Sequence, residues 1–411
     1  MDPLSREAAA ADDAADPLAP FRDRFVQDAA GVLYLDGNSL GRLPLATRER
    51  LAAITAEWGE RLVGGWPDWI DAPVRTGDLI GGLIGAAPGE VVVCDSTTVN
   101  LFKLVEAALD ARAGGGGALV TDRGNFPTDR YVLEGIAARR GLELRLFDGE
   151  PEAATLPCGR GDVVVLSLVG YRTGALADLA ALQAVAHERG ATLIWDLSHA
   201  AGAVPVDLRG AGAELAVGCT YKYLNAGPGA PAYLYVAAGL QQMFRSPIWG
   251  WFGQRGQFGM ERGYDPEADI RRFLAGTPPI LGLAAVEEGA RLTAQAGIAA
   301  LHAKAIELTE LIVALHDARL APLGFDLASP RDPDRRGSHV SLRHQRAWQI
   351  TRALIERADV IPDFRGPDSV RLGVAPLYTR HVDVWDALDR LRGLVERGEH
   401  QAVDATPGRV T

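Results

Sequence analysis

A chain of 411 residues is long enough for one large or two modest domains. Its 47% hydrophobic and 23% charged residues suit an ordinary globular protein with a sizeable core. The net charge of -11, with no basic run and no basic helix face, argues against nucleic acid and against anionic membranes as partners.

The start of the chain carries Asp2, Glu7, Asp12 and Asp13 among alanines, so it does not read as a signal peptide. No apolar stretch approaches the roughly 18 residues of a membrane span. Cys94, Cys158 and Cys219 lack metal-ligand spacing, and Cys94 and Cys219 sit in apolar runs that suggest buried thiols. So sparse and odd a count fits a reducing, cytoplasmic compartment better than a disulfide framework.

Residues 1–20 read as a loose N-terminal arm. Residues 32–36 suggest a short strand, 37–41 a turn, and 47–62 a helix. Strand and helix signals then alternate. Strands are expected at 91–94, 118–121, 142–147, 163–166, 192–195, 215–219 and 232–236, with helices at 98–113, 128–140 and 179–189. Short apolar runs alternating with amphipathic helices imply an α/β fold, a mainly parallel sheet covered by helices. The glycine run 114–117 reads as a flexible connection rather than a phosphate loop, because no helix follows it directly.

After about residue 280 the pattern changes. Two helical stretches, 281–296 and 301–318, precede a strand at 340–342, a helix at 348–358, a strand at 369–372 and a last helix at 382–397. This suggests a smaller α+β domain. The expected organisation is an N-terminal part of the small domain at 21–60, a large cofactor-binding domain at 61–290, a C-terminal small domain at 291–400, and a frayed tail at 401–411.

Lysine is nearly absent: only Lys103, Lys222 and Lys304 occur. Lys103 falls within an expected helix, and Lys304 is expected at the surface of another. Lys222 follows an expected strand, between Tyr221 and Tyr223 and ahead of Gly227 and Gly229. An apolar, aromatic setting disfavours the ammonium form, and a neutral amine is what condenses with an aldehyde. A lysine that merely ends a strand is an equally open reading on this ground alone. Asp196 and His199 strengthen the chemical reading, because Asp196 should project at the carboxyl edge of the sheet, where open α/β sheets bind ligands. A carboxylate there could pair with a pyridinium nitrogen; a metal pair would need further ligands at matching spacing. Ser96, Thr97 and Thr98 open a helix and could hold a phosphate or simply cap it. Phe126, in Phe126-Pro127-Thr128-Asp129, falls at the same edge and could stack on a ring.

This order of motifs resembles kynureninase, within the fold-type-I group of pyridoxal-phosphate enzymes. The strings that carry it are Tyr221-Lys222-Tyr223-Leu224-Asn225-Ala226-Gly227 and Arg272-Phe273-Leu274-Ala275-Gly276-Thr277-Pro278-Pro279. Leu35 through Gly41, Gly250 through Gly253, and Arg371 through Tyr378 add to it, over roughly residues 32 to 390. The resemblance implies a fold-type-I, transferase-like architecture and pyridoxal 5'-phosphate held as an imine on Lys222. It implies that Asp196 pairs with the pyridine nitrogen with support from Asp129, that Phe126 stacks on the ring, and that Thr97, Thr98 and Tyr221 surround the phosphate. Pro127, Thr128, Ser167 and His199 would line the site. Trp251 and Thr277 would reach the cofactor from a second subunit, which implies a homodimer. Arg371 would clamp the substrate carboxylate in a two-pronged ion pair. Trp66 and Thr277 stand where they imply a preference for L-kynurenine over its 3-hydroxy form.

The implied reaction is hydrolysis of L-kynurenine to anthranilate and L-alanine, a hydrolysis of a carbon–carbon bond in a ketone, with Lys222 and Tyr221 as the catalytic residues. Two departures stand out: Gln254 where the family usually has His, and Gly256 through Met260 where a different aromatic string is expected. Another fold-type-I activity, an aminotransferase or a cysteine desulfurase-like lyase, stays open. No cysteine follows Cys219, which counts against a desulfurase loop in the last third. A cofactor-binding regulator would need a DNA-reading helix pair, and the first 31 residues are too short and too acidic for one.

Overall fold

Along each long strand, successive residues point to opposite sides, and in this protein both sides are apolar. The computed structural model describes residues 2–27, 31–111, 117–260, 263–406 and 408. The elements in chain order are α1 (Arg6–Ala15), β1 (Leu33–Tyr34), α2 (Leu45–Arg61), α3 (Trp66–Trp69), α4 (Ala72–Leu83), β2 (Val91–Val93), α5 (Thr97–Asp110), β3 (Leu119–Asp122), α6 (Pro127–Arg140) and β4 (Leu144–Phe147). Next come β5 (Val163–Ser167), α7 (Leu179–Glu188), β6 (Thr192–Asp196), β7 (Leu215–Gly218), β8 (Tyr233–Val236), α8 (Ile280–Ala296) and α9 (Ile298–Leu315). The chain closes with β9 (Asp326–Leu327), β10 (His339–Arg343), α10 (Ala347–Arg357), β11 (Val360–Ile361), β12 (Asp363–Arg365), β13 (Ser369–Gly373) and α11 (His381–Glu396).

The main sheet has seven strands in the order β2-β8-β7-β6-β5-β3-β4. Strands β7, β6, β5, β3 and β4 run parallel, and β8 runs against both its neighbours. Val164, Leu166, Leu193, Trp195 and Ala216 pack into one core, while Val163, Val165, Ile194, Leu215 and Val217 pack into a second on the other face. Burial on both faces explains why these strands read as unbroken apolar runs, as parallel strands do. Each such Val, Leu or Ile side chain stabilises the fold by about 1.5–3 kcal/mol. A third core joins α9, α10 and α11 to the antiparallel sheet β12-β13-β10-β9 and to Leu33 and Leu35 near the start of the chain.

The α/β class expected from the sequence is therefore the one observed. Differences lie in the parts held by tertiary contacts. Residues 6–15 are not a loose arm but a helix, capped by Ser5, whose hydroxyl accepts from Ala8 N at 3.2 Å. Its Asp13 carboxylate accepts from His381 N (2.7 Å) and Val382 N (3.0 Å), capping α11 in turn. Lys304, expected at the surface, is buried: it pairs with Asp16 at 2.7 Å and donates to Pro376 O at 2.8 Å. The expected frayed tail is pinned over its first residues, since Trp348 Nε1 donates to Asp404 O and Gln349 Nε2 to Val403 O. Most of the glycine run, residues 114–116, lies outside the described residues. Helix α4 went unrecognised because Gly77, Gly81 and Gly82 are poor helix formers. A side-chain carbon at Gly77 would collide with the Val91 carbonyl, so this helix lies directly on β2. No helix among the described residues is long and apolar enough to cross a membrane.

Removing one partner of a buried ion pair leaves the other charge uncompensated. Asp16→Ala should therefore destabilise the protein by about 3–5 kcal/mol, read from urea unfolding midpoints. A loss under 1 kcal/mol would mean that the Lys304–Asp16 pair carries no such weight.

Candidate active site

The carboxyl ends of the parallel strands deliver the chemistry to one place. Strand β6 ends on Asp196, β7 leads into Tyr221 and Lys222, β3 leads into Phe126 and α6, and β2 leads into Asp95 and the start of α5. The sequence order of strands reverses between β3 and β5, the kind of switch point at which open sheets leave a crevice. A cavity of about 370 Å³ opens at this edge, lined by Thr97, Thr98, Phe126, Thr128, Asp129, Asp196, His199, Tyr221 and Lys222 among others. Its size lies within the usual range for small-molecule sites.

Lys222 is buried, and no carboxylate of the described residues forms a salt bridge with it. Its Nζ lies 3.2 Å from His199 Nε2 and 3.4 Å from Nδ1, and 5.8 Å from the Phe126 ring centroid. Burial pulls the amine below its usual pKa. His199 is held well below the imidazole range, first by burial and then by the lysine charge, so neither partner of this contact gains by protonation. The other two lysines both have anions: Lys103 pairs with Asp95 at 2.5 Å, and Lys304 with Asp16.

On the cavity floor, Asp196 Oδ1 accepts from Ser198 N at 2.8 Å. Asp129 is buried on α6, its Oδ2 has no hydrogen-bond partner among the described residues, and burial followed by the Asp196 charge raises its carboxyl well above the usual range. A carboxyl pair with accepting capacity to spare suits a ligand that brings an N–H donor. Opposite, α5 begins at Thr97, with Ser96 as its cap accepting from Val99 N. The first turn of a helix leaves N–H groups without partners, and here two threonine hydroxyls stand beside them, which suits an anion. Burial raises the Tyr221 phenol, so it stays a protonated donor. Lys222, Asp129, Asp196, Thr97 and Thr98 thus fit an aldehyde cofactor with a ring nitrogen and a phosphate. Among the described residues, no group of three or more His, Cys, Asp or Glu could hold a metal ion.

Not every expected site residue lines this cavity. Pro127 opens α6 beside it. Ser167 donates to Asn125 Oδ1 at 2.7 Å and faces a neighbouring cavity shared with Tyr171 and Arg172. Trp66 and Thr277 line a separate apolar groove with Trp58, Trp69 and Leu281. Trp251 stands at the surface against Phe252 and Phe258. Gln254 is tied up within its own loop, its Oε1 accepting from Asp265 N. Arg371 is buried, not a surface arginine: it donates to Tyr171 O (2.7 Å) and Ser39 Oγ (3.0 Å) and pairs with Asp363.

The sequence reading missed Tyr171 and His339. Tyr171 sets its ring edge-on to Phe126, 5.2 Å between centroids. His339 is buried with its ring 5.6 Å from that of His199. Gly170, just before Tyr171 and just after a strand end, was the only available signal for the first; nothing local marks the second.

Residues 301–391 match the kynureninase C-terminal domain. A kynureninase from Burkholderia pseudomallei is 44% identical over 99% of this chain and 100% of its own length. A kynureninase from Pseudomonas fluorescens is 46% identical over 94% of each chain. This chain belongs to the kynureninase family. Among solved structures, a cysteine desulfurase from Escherichia coli superposes with a TM-score of 0.77 at 18% identity, covering 94% of this chain and 99% of that one. That likeness concerns the fold. In this kynureninase-family chain, the cysteines, two of them buried, are absent from the lining of the Lys222 cavity.

Because Asp129 keeps its proton when folded and releases it when unfolded, its burial costs stability increasingly as pH rises above about 4. In cofactor-free protein, Asp129→Asn should match the parent near that pH and exceed it by a growing margin toward pH 8, measured by urea unfolding. A pH-independent difference would contradict the raised carboxyl.

Proposed function

We propose that this chain hydrolyses L-kynurenine to anthranilate and L-alanine, using pyridoxal 5'-phosphate bound covalently at Lys222. The observation that carries the proposal is the buried, uncompensated Lys222 amine facing His199, above a floor of Asp129 and Asp196. Membership of the kynureninase family supplies the substrate.

The cofactor, when bound, supplies an electron sink for bonds at the α- and β-carbons of the substrate. The protein does the rest. Lys222, free of a carboxylate, forms the covalent link and then accepts and returns the α-proton. Asp196 would pair with the ring nitrogen and keep a proton on it, with Asp129 supporting Asp196. Phe126 would stack on the ring, while Thr97, Thr98 and Tyr221 would hold the phosphate. Thr128, His199 and Ser167 shape the walls. Water adds to the γ-carbonyl, the Cβ–Cγ bond breaks so that Cγ leaves as the carboxyl of anthranilate, and Tyr221, a phenol that keeps its proton, would donate that proton to Cβ.

In the same reading, the site is completed by a second copy of the chain. Trp251 and Thr277 lie away from the Lys222 cavity of their own chain, and the groove beside Thr277 is lined by Trp58, Trp66, Trp69 and Leu281. Trp58 and Leu281 are exposed, as a partner-facing patch requires. A homodimer would bring Trp251 and Thr277 to the neighbouring cofactor. Trp66 and Thr277 then favour kynurenine over 3-hydroxykynurenine.

A fluorescence assay for anthranilate, run with both substrates, tests the reaction; release of an α-keto acid instead would point to transamination. Borohydride reduction of the holoenzyme should fix the cofactor at Lys222, and Lys222→Ala should abolish both label and turnover. Tyr221→Phe should keep cofactor absorbance while lowering kcat by about 100-fold or more. Unchanged turnover in that variant would remove Tyr221 from the chemistry.

A further inference from the structure

A carboxylate at the mouth of a phosphate cup is an electrostatic anomaly. Asp95 lines the Lys222 cavity and directly precedes Ser96, Thr97 and Thr98 at the start of α5. It is not the cap of that helix, a task Ser96 performs by accepting from Val99 N. The threonine hydroxyls and free N–H groups there suit an anion, whereas a like charge one or two residues away repels it. A phosphate ester carries about -1.5 to -2 charges at neutral pH, so the repulsion is felt almost twice over. The place of Asp95 is set by strand pairing: its carbonyl accepts from Ala232 N at 2.9 Å, next to the Cys94 N to Ala232 O bond of 2.8 Å.

The compensating charge comes from α5 itself. Long side chains on a helix lean toward its N-terminus, so a lysine one to two turns in can reach the residue that precedes the helix. Lys103 does so, with its Nζ 2.5 Å from Asp95 Oδ2. The same Nζ donates to Phe273 O at 2.6 Å, which ties the cup to the chain leading to Thr277. The two partners differ in setting. The Lys103 side chain is 0% exposed and does not line the cavity, while that of Asp95 is 30% exposed and does. A pair serving only the core would hide both charges; this one hides the cation and presents the anion to the ligand.

We propose that Lys103 is a positioning residue for the cofactor phosphate, acting through Asp95: it neutralises a carboxylate that would otherwise drive the phosphate from Thr97, Thr98 and the start of α5. The proposal rests on the cofactor reading given above and adds a charge balance to it. Without Lys103 the cup carries a bare anion. Without both residues it is neutral again.

The test uses the full chain, stripped of cofactor and reloaded with either of two aldehydes: pyridoxal 5'-phosphate, or pyridoxal, which lacks the phosphate. Uptake is read by absorbance, and inorganic phosphate binding by calorimetry. In Lys103→Met, affinity for pyridoxal 5'-phosphate should fall at least about tenfold and inorganic phosphate should weaken with it, while pyridoxal stays unchanged. Asp95→Asn, which keeps the ammonium, should bind both phosphate probes at least as tightly as the parent. The double variant Asp95→Asn/Lys103→Met should regain most of the loss, and it decides the matter even where Lys103→Met alone does not fold. Equal weakening of both aldehydes in Lys103→Met would make the lysine a structural residue. A tenfold loss of pyridoxal 5'-phosphate affinity in Asp95→Asn or in the double variant would overturn the proposal. A parent that takes up neither aldehyde, yet binds inorganic phosphate less tightly on Lys103→Met, would keep the charge balance and lose the cofactor assignment.

Discussion

Burying an ammonium ion without a counter-charge costs several kcal/mol even after relaxation, and a lysine escapes that cost by giving up its proton. All three lysines of this chain are buried, so each faces the same constraint. Lys103 meets it with Asp95 and a backbone carbonyl, and Lys304 meets it with Asp16. Among the described residues, Lys222 has only the imidazole of His199 within hydrogen-bonding distance, itself disfavoured as a cation. A neutral amine at the edge of a sheet is a nucleophile waiting for a carbonyl.

The surrounding structure holds that amine in place. Gly41 donates its N–H to Tyr221 O at 2.8 Å, and any side-chain carbon at this glycine would run into the Lys222 carbonyl. The segment from Leu35 to Gly41, which joins the third core through Leu35, is thereby pressed directly against the lysine loop. On the other side, Tyr171 connects two side chains. Its carbonyl accepts from Arg371, and its ring abuts Phe126, so both rest on one strap. The strap is further tied to the antiparallel sheet where Ser341 donates to Arg172 O and Arg172 donates to Gly366 O.

Much of this was legible in the sequence because it is carried by local pattern. Strands buried on both faces announce themselves as apolar runs, and the residues that end them, Asp196, Phe126 and Lys222, inherit their place at the carboxyl edge from the topology alone. The rest depended on contacts distant in sequence. Helix α1 is an alanine-rich segment whose order comes from α11, some 370 residues away. Lys304 looked exposed because its partner, Asp16, sits in the supposed arm. Arg371 was recognisable as an important arginine, but the four acceptors that occupy it come from three separate stretches of chain. Trp66, Trp251 and Thr277 cannot be placed at the cofactor by one chain's fold, since in this chain they face other surfaces.

The central claim is that burial, with no anion paired to it among the described residues, weakens the hold of the Lys222 amine on its proton. The direct measurement is site-resolved modification of lysine in the cofactor-free protein by a small amine-reactive reagent across a pH series, with the Lys222 peptide read by mass spectrometry. Reactivity at that residue should rise through a midpoint below the 10.5 of an ordinary lysine amine. A midpoint at or above that value would mean the amine is held as a cation, and the account built on it would fail.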